Sequence, residues 1–145
     1  MSPAATLEPP SQVLVFALGD ERYCVGIDQV EEIVATQPIS PVPDSPRMVE
    51  GVMDLRGTTT TIVDPTVPFG VTGPVDQRQV IVFEADDQRR IGWLVDHGER
   101  VREFESPDVE PAEDTQQITG ILNADEEFLF WVDPDPINSQ IANSE

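Results

Sequence analysis

Gly51–Pro65 reads GVMDLRGTTTTIVDP and Gly120–Pro134 reads GILNADEEFLFWVDP, one segment written twice. An offset of 69 residues carries Val63-Asp64-Pro65 onto Val132-Asp133-Pro134, and Val52, Met53 and Asp54 onto Ile121, Leu122 and Asn123, without a gap. An earlier pair of segments matches too: QVLVFALGDERYCVGI from Gln12 and QVIVFEADDQRRIGWLV from Gln79, with Phe16 falling on Phe83 at an offset of 67. The 145-residue chain therefore holds two copies of one β unit, each opening with a hairpin and closing at Val-Asp-Pro. Neither copy is long enough to enclose a good core alone, so the two must pack on each other. Many short strands divided by Gly/Pro turns fit small barrels or a sandwich.

Local signals place the elements. Two apolar runs flank Gly19-Asp20-Glu21, a hairpin. DQVEEIV starts a helical turn in which Asp28 is the N-cap and Glu31 completes a capping box. Prolines 38, 41, 43 and 46 forbid a long helix or central strand through the next stretch. Strands follow at Gly51–Leu55 and Thr58–Val63, the second rich in β-branched residues. A further strand at Arg100–Glu105 leads into an acidic loop, SPDVEPAEDTQQ, and Asp125-Glu126 turns the last hairpin. The tail places Ile137 and Ile141 on one face of a helical turn. The expected organisation is an N-terminal disordered arm (1–11), a domain over 12–138 and a flexible tail (139–145). Within the domain the lobes span about 12–68 and 78–133, with room for strand exchange.

Composition narrows the function classes. There are 28 Asp+Glu against 8 Lys+Arg, a formal net charge of -20, and all eight basic residues are arginine. Such a field repels nucleic-acid backbone and anionic lipid. An acidic surface without lysine resembles the proteins of salt-in halophiles, archaea among them, where molar salt shortens the Debye length to ~3 Å and screens the self-repulsion. Neither a secretory leader nor an apolar run of roughly 18 residues is present, so a soluble, cytoplasmic protein is expected. Cys24, the single cysteine, reads as a small buried hydrophobe, and Trp93 and Trp131 as core.

Catalytic patterns are not legible. His97, the one histidine, reads as an exposed loop imidazole without a triad or zinc set around it. Phosphate-cradling loops are missing from the sequence. Asp133-Pro134-Asp135 and Asp125-Glu126-Glu127 lack the spacing of a calcium loop and read as solvated charge. No catalytic residue, metal site or cofactor is expected. The residues point to an interaction module, with an acidic calcium-binding β protein or β-barrel enzyme as the rival from a different class.

Four segments in order, YCVGIDQVEEIV, MVEGVMDLRGTTTTIVDP, IGWLVDHGERVREF and ITGILNADEEFLFWVDP, resemble the CheW family of chemotaxis coupling proteins over about residues 12–138. The family's central signature is matched by Gly51, Asp54-Leu55-Arg56-Gly57 and Asp64, with Asp54, Thr61 and Pro65 standing where Asn, Pro and Leu are usual, and Gly98 where Val is usual. The resemblance implies an all-β fold of two five-stranded, SH3-like barrels packed around a shared core. It implies an adaptor without chemistry, coupling membrane chemoreceptors to the histidine kinase CheA and recruited to receptor arrays. The receptor's helical hairpin tip would lie between the lobes, and the kinase's regulatory domain would pair with the barrel ends. Positions matching the family's receptor- and kinase-binding residues are Val30, Glu32, Gly51, Arg56 and Gly57, with Val95 lining the groove from the second lobe. The regulatory domain of CheA and the CheV-type couplers share the fold; a chain opening at Met1 without kinase or receiver sequence reads as a stand-alone coupler. Arg56 is the only positive charge between Arg47 and Arg78, and it is expected to pair with Glu32.

Overall fold

The computed structural model describes residues 10–83, 90–103, 108–111, 118–124 and 127–143. In chain order these form β1 (Gln12–Leu18), β2 (Glu21–Gly26), β3 (Val30–Ala35), β4 (Val49–Leu55), β5 (Thr58–Val63), α1 (Thr66–Phe69), β6 (Gln79–Phe83), β7 (Arg90–Val95), β8 (His97–Glu103), β9 (Asp108–Pro111), β10 (Gly120–Ala124), β11 (Glu127–Trp131) and α2 (Pro134–Asn143). They build two sheets. The first has the order β3-β6-β7-β5-β4 and the second β8-β1-β2-β11-β10-β9.

The duplication is structural, and the copies exchange their hairpins. Hairpin β6–β7 of the second copy sits in the middle of the sheet built from β3, β4 and β5 of the first. Hairpin β1–β2 of the first copy sits likewise among β8, β10 and β11 of the second. Among the described residues the two parallel pairings occupy matching positions: Thr61 opposite Ile91 in one sheet, Phe130 opposite Tyr23 in the other. The lobes are therefore not the sequential halves 12–68 and 78–133. The first lobe is the continuous stretch 30–95, and the second joins 12–26 to 97–131.

Strand alternation explains why so many strands are apolar on both faces. In β1, Val13 and Val15 enter the interior of the second lobe with Cys24, Leu122, Leu129 and Trp131. Leu14, Phe16 and Leu18, on the other face, enter a core shared by both lobes. β6 repeats this: Val80 and Val82 fill the first lobe with Met53, Leu55, Ile62 and Leu94, while Ile81 and Phe83 face the shared core. The shared core holds fifteen buried residues among those described, against six in each lobe interior, so most of the burial lies between the lobes. Phe16, Phe69 and Phe83 surround Trp93 edge-on at its centre.

The repeated Val-Asp-Pro has a local cause. Val63 and Val132 are both fully buried in the shared core. Asp64 Oδ1 accepts the Thr66 backbone N–H at 3.1 Å, and Asp133 Oδ1 accepts that of Asp135, also at 3.1 Å. Each aspartate thus turns the chain off its last strand into a helix, α1 or α2.

Several expectations need correction. No capping box forms at Asp28: residues Ile27–Gln29 make a single 3-10 turn whose N-cap is Gly26, and Glu31 continues into β3. His97 opens a strand, His97–Glu103, rather than lying in a loop, and the last two residues of the expected strand, 104 and 105, lie outside the described residues. Asp108–Pro111 of the acidic loop adds an edge strand, so the second sheet has six strands rather than five. Helix α2 runs past the expected boundary at 138 to Asn143, and Ile137 and Ile141 are buried on one face in the shared core. Trp93 Nε1 also donates to Asn138 Oδ1 at 2.9 Å, which anchors the helix. The arm over 1–9 and the turn at Asp125-Glu126 lie outside the described residues.

Candidate interaction surface

Chemistry finds little to work with. The Cys24 thiol is buried among apolar side chains, and that burial pushes its pKa up to about 12. The Tyr23 hydroxyl is pushed up to about 12 by burial and then by Glu21. His97 is exposed, with Nε2 at 3.3 Å from Glu99. A concavity of about 350 Å³ lies beside it, lined by Asp76, Arg78, Gln79 and Asp96. Both carboxylate oxygens of Asp96 are already engaged, accepting the N–H groups of Gly19 and Asp76 at 3.0 Å each.

The surface carries more information, beginning with Glu32 and Arg56. The loop between β4 and β5 is two residues long, because Leu55 pairs with Thr58. Both loop residues have positive φ, 50° at Arg56 and 85° at Gly57, the backbone a tight hairpin needs to follow the strand twist. Arg56 has a Cβ, so holding it in the left-handed region costs about 1–2 kcal/mol. That conformation aims its guanidinium across the lobe at Glu32, and the two form an ion pair. β3 is one edge of its sheet and β4 the other. A bond from β3 to the β4–β5 tip therefore ties the two edges of a curled sheet together. Arg90 adds to the cluster, reaching Glu31 at 3.4 Å and Glu32 at 3.8 Å.

Glu31 projects because β3 bulges there: Val30 pairs with Phe83 and Glu32 with Val82, leaving Glu31 unopposed. β8 has the same bulge at the matching place, with Gly98 opposite Phe16, Arg100 opposite Val15, and Glu99 left over. Glu99 takes Arg22 as Glu31 takes Arg90, and Arg22 Nε donates to both of its oxygens at 2.9 and 3.0 Å. This hydrogen-bonded pair raises the Arg22 pKa further. Each ion pair binds the start of an exchanged hairpin's return strand to the edge strand of the same sheet.

Between the clusters the seam of the lobes reaches the surface. Ile33 on β3 pairs with Ile81, and Val101 on β8 pairs with Leu14. Both partners face the shared core, so Ile33 and Val101 point to the interlobe side, yet they are 37% and 50% exposed. Val30 is half-buried against the same core. A Cβ on Gly98 would sit 2.9 Å from Ile33 Cδ1, so the glycine makes the seat for that isoleucine. Gly98 N also donates to Gln79 Oε1 at 2.7 Å, which closes the seam beneath.

Of the sequence-predicted positions, Glu32, Arg56 and Gly57 come together at one lobe end, and Val30 lies at the seam. Gly51 is buried instead. Its φ is 152°, and a Cβ there would stand 2.3 Å from the Ser40 carbonyl oxygen, which bonds Val52 N–H alongside. Gly51 thus keeps room for the Pro-rich segment against β4. Val95 does not line a groove: it is fully buried, because strand alternation sends it and Trp93 into the shared core and Leu94 into the lobe. Ile33, Gly98 and Val101 lie at the seam as well, and none of them was among the positions expected from the sequence. The repeat itself was the available signal, since it sets Ile33 and Val101 at matching positions.

Two exchanged β lobes with an apolar seam between them and ion pairs at their ends make an all-β, two-lobed scaffold. The model of the CheW-like domain matches residues 12–142. The chain belongs to that family. Its relatives include chemotaxis protein CheW of Klebsiella aerogenes, 30% identical over 129 residues that cover 84% of this chain and 78% of that protein. Chemotaxis protein CheW of Rhizobium meliloti is 33% identical over 104 residues, covering 71% and 67%. The crystal structure of scaffolding protein TtCheW from Thermoanaerobacter tengcongensis superposes with a TM-score of 0.73 at 26% identity, covering 86% of this chain and 89% of that one.

Proposed function

We propose that the chain is a chemotaxis adaptor that acts without chemistry, holding membrane chemoreceptors and the histidine kinase CheA in one signalling assembly. Family membership supports the class of function, and the observation that supports the site is the Glu32–Arg56 pair beside the apolar seam. The seam of Val30, Ile33, Gly98 and Val101 suits the receptor's cytoplasmic helical hairpin, whose apolar side chains would cover the exposed isoleucine and valine. The lobe end carrying Glu32, Arg56 and Gly57 suits the regulatory domain of the kinase. Recruitment to receptor arrays at the membrane would follow from those two contacts, since no described helix is long and apolar enough to cross a membrane.

Charge exchange tests the site. Arg56 is 62% exposed in its side chain, so the pair contributes little to stability, about 0–1 kcal/mol. Arg56→Glu and Glu32→Arg should each leave folding nearly intact and weaken kinase coupling in a reconstituted receptor–kinase assay at high salt. The double exchange should recover part of it. If both single variants couple like the parent, the assignment is wrong.

A further inference from the structure

The hairpin exchange crosses from one half of the chain to the other, and a single segment connects the halves. Strands β1 to β5 belong to the first half and β6 to β11 to the second. Each sheet takes its middle hairpin from the opposite half: β6–β7 separates β3 from β5–β4, and β1–β2 separates β8 from β11–β10–β9. Without the second half β3 has no described strand beside it, and without the first β8 has none. Lobe interiors are filled from both sides as well, with Met53, Leu55 and Ile62 meeting Val80, Val82 and Leu94 in the first lobe. Ion pairs follow the same division. Arg22 with Glu99 and Arg90 with Glu31 cross between halves. The lobe-end pairs are closed within one half, Glu32 with Arg56 in the first and Arg100 with Glu127 in the second. Their charge order is opposite, with the acid on edge strand β3 and the arginine on edge strand β8.

Neither half encloses a core without the other, so the connector over residues 64–78 decides which chain supplies the missing half. Its two ends are fastened. Phe69 stacks on Tyr23 and packs edge-on against Trp93, and Val71 N–H bonds the Thr66 carbonyl at 2.9 Å. Asp76 N–H bonds Asp96 at 3.0 Å, and the Gln77 amide donates to Asp64 at 2.9 Å and to the Leu94 carbonyl at 2.8 Å. The middle is loose. Described hydrogen bonds stop at Val71 and resume at Asp76, while Thr72, Gly73 and Pro74 are exposed. A Cβ on Gly73 would meet nothing within 4 Å. Extended, Gly70–Asp76 spans about 23–25 Å, enough to pass from one body to another lying against it.

We propose that two copies of this chain form a reciprocal dimer: the connector straightens at Thr72–Val75, and residues 79–143 of each copy complete the sheets begun by residues 12–63 of the other. Every strand pairing, buried cluster and crossing ion pair is remade between chains, and only the connector changes conformation. The two forms therefore differ little in energy per chain, and chain concentration during folding divides them. Salt favours the dimer. Two chains of net charge -20 repel while the Debye length is ~10 Å near 0.1 M, and the repulsion fades as it shortens to ~3 Å at about 1 M. Return to monomers requires opening the shared core, so each form persists once folded. The dimer carries two complete scaffolds on one particle, which doubles valency without a new contact. The proposal rests on strand pairing and the connector alone, and it stands whether or not the adaptor reading does.

Gln12 on β1 and Glu103 on β8 are exposed and directly opposite, one from each half, so cysteines there can close a disulfide across the pairing. Cys24 stays in place because it is buried. A chain carrying both Gln12→Cys and Glu103→Cys should close internally when folded dilute at molar KCl with oxidised glutathione. Chains carrying one substitution each are then mixed, unfolded in urea and refolded together at millimolar concentration. A disulfide between unlike chains should form, and native mass spectrometry should show a dimer-to-monomer ratio about tenfold or more above that after micromolar refolding. Chains refolded apart and mixed afterwards should stay unlinked. Deleting Thr72–Pro74 shortens the connector between its fastened ends and should shift the product toward dimer already at micromolar concentration. A product that stays monomeric at millimolar concentration would overturn the proposal. So would internal closure in the double variant with no link between co-refolded unlike chains, or equal linking when the chains are mixed already folded. Should the deleted chain fail to fold, the co-refolded full-length chains decide.

Discussion

Met53→Ala tests whether the two lobes are one cooperative unit. Met53 is 1% exposed and lies inside the first lobe, away from the shared core and from the second lobe. Truncating a buried methionine to alanine costs about 2–5 kcal/mol. With a urea m-value of about 2 kcal/mol/M for a domain of this size, the midpoint should fall by about 1–2.5 M. The chain supplies its own reporters, because Trp131 lies in the second lobe's interior and Trp93 in the shared core. Single-tryptophan variants, with phenylalanine at the other site, separate the two signals in urea unfolding at high salt. Most buried residues lie between the lobes, so losing the first lobe strips the second of its main apolar contact. Both reporters should therefore move together to the same lower midpoint, though the mutated side chain belongs to neither cluster. A Trp131 midpoint that stays in place while that of Trp93 falls would refute the coupling and make the lobes independent folding units.

Three further outcomes are expected. Circular dichroism melts from about 0.1 to 3 M KCl should show a rising melting temperature as the self-repulsion of net charge -20 is screened; a flat profile would count against a halophilic adaptation. Gly51→Ala should cost about 2–4 kcal/mol in chemical denaturation, combining the strain of its positive φ with displacement of the Ser40 carbonyl, whereas Gly57→Ala, whose Cβ would meet nothing within 4 Å, should cost less. Cys24 is raised from 9.0 to about 12, so between those values the folded state holds a proton the unfolded state has lost. Stability from this group is fully present below about pH 9 and falls as pH rises toward 12. Cys24→Ala should flatten the onset of that decline in melting scans, while a thiol reagent at pH 8 should label the native chain only at the rate of unfolding.

The architecture was legible where it is local or periodic. The repeat closing at Val-Asp-Pro and the apolar face of Ile137 and Ile141 could be read from spacing. Hairpin exchange could not, because the two copies use nearly the same apolar idiom. Nothing in Gln79–Phe83 says that its neighbour on one side is Val30–Ala35 of the other copy. Val95 was expected in the groove from the family resemblance, and its full burial could not be read from the sequence. WLV reads as one apolar run, and only the observed register shows Leu94 entering the lobe while Trp93 and Val95 enter the shared core. The capping-box pattern at Asp28 lost to the ladder of β3, in which Glu32 to Ala35 pair with β6. Arg56 was readable because a lone cation in an acidic stretch has few ways to be satisfied, and Glu32 is the one the fold brings within reach.

The opposite charge order at the two lobe ends gives the molecule a direction. Duplication alone would leave two ends with the same shape and the same pattern, and such a body can join copies of itself only through self-matching faces. Placing acid on β3 and arginine on the hairpin at one end, and arginine on β8 with acid on the hairpin at the other, makes front and back distinguishable. A handful of side chains thus turns a symmetric frame into a polar one.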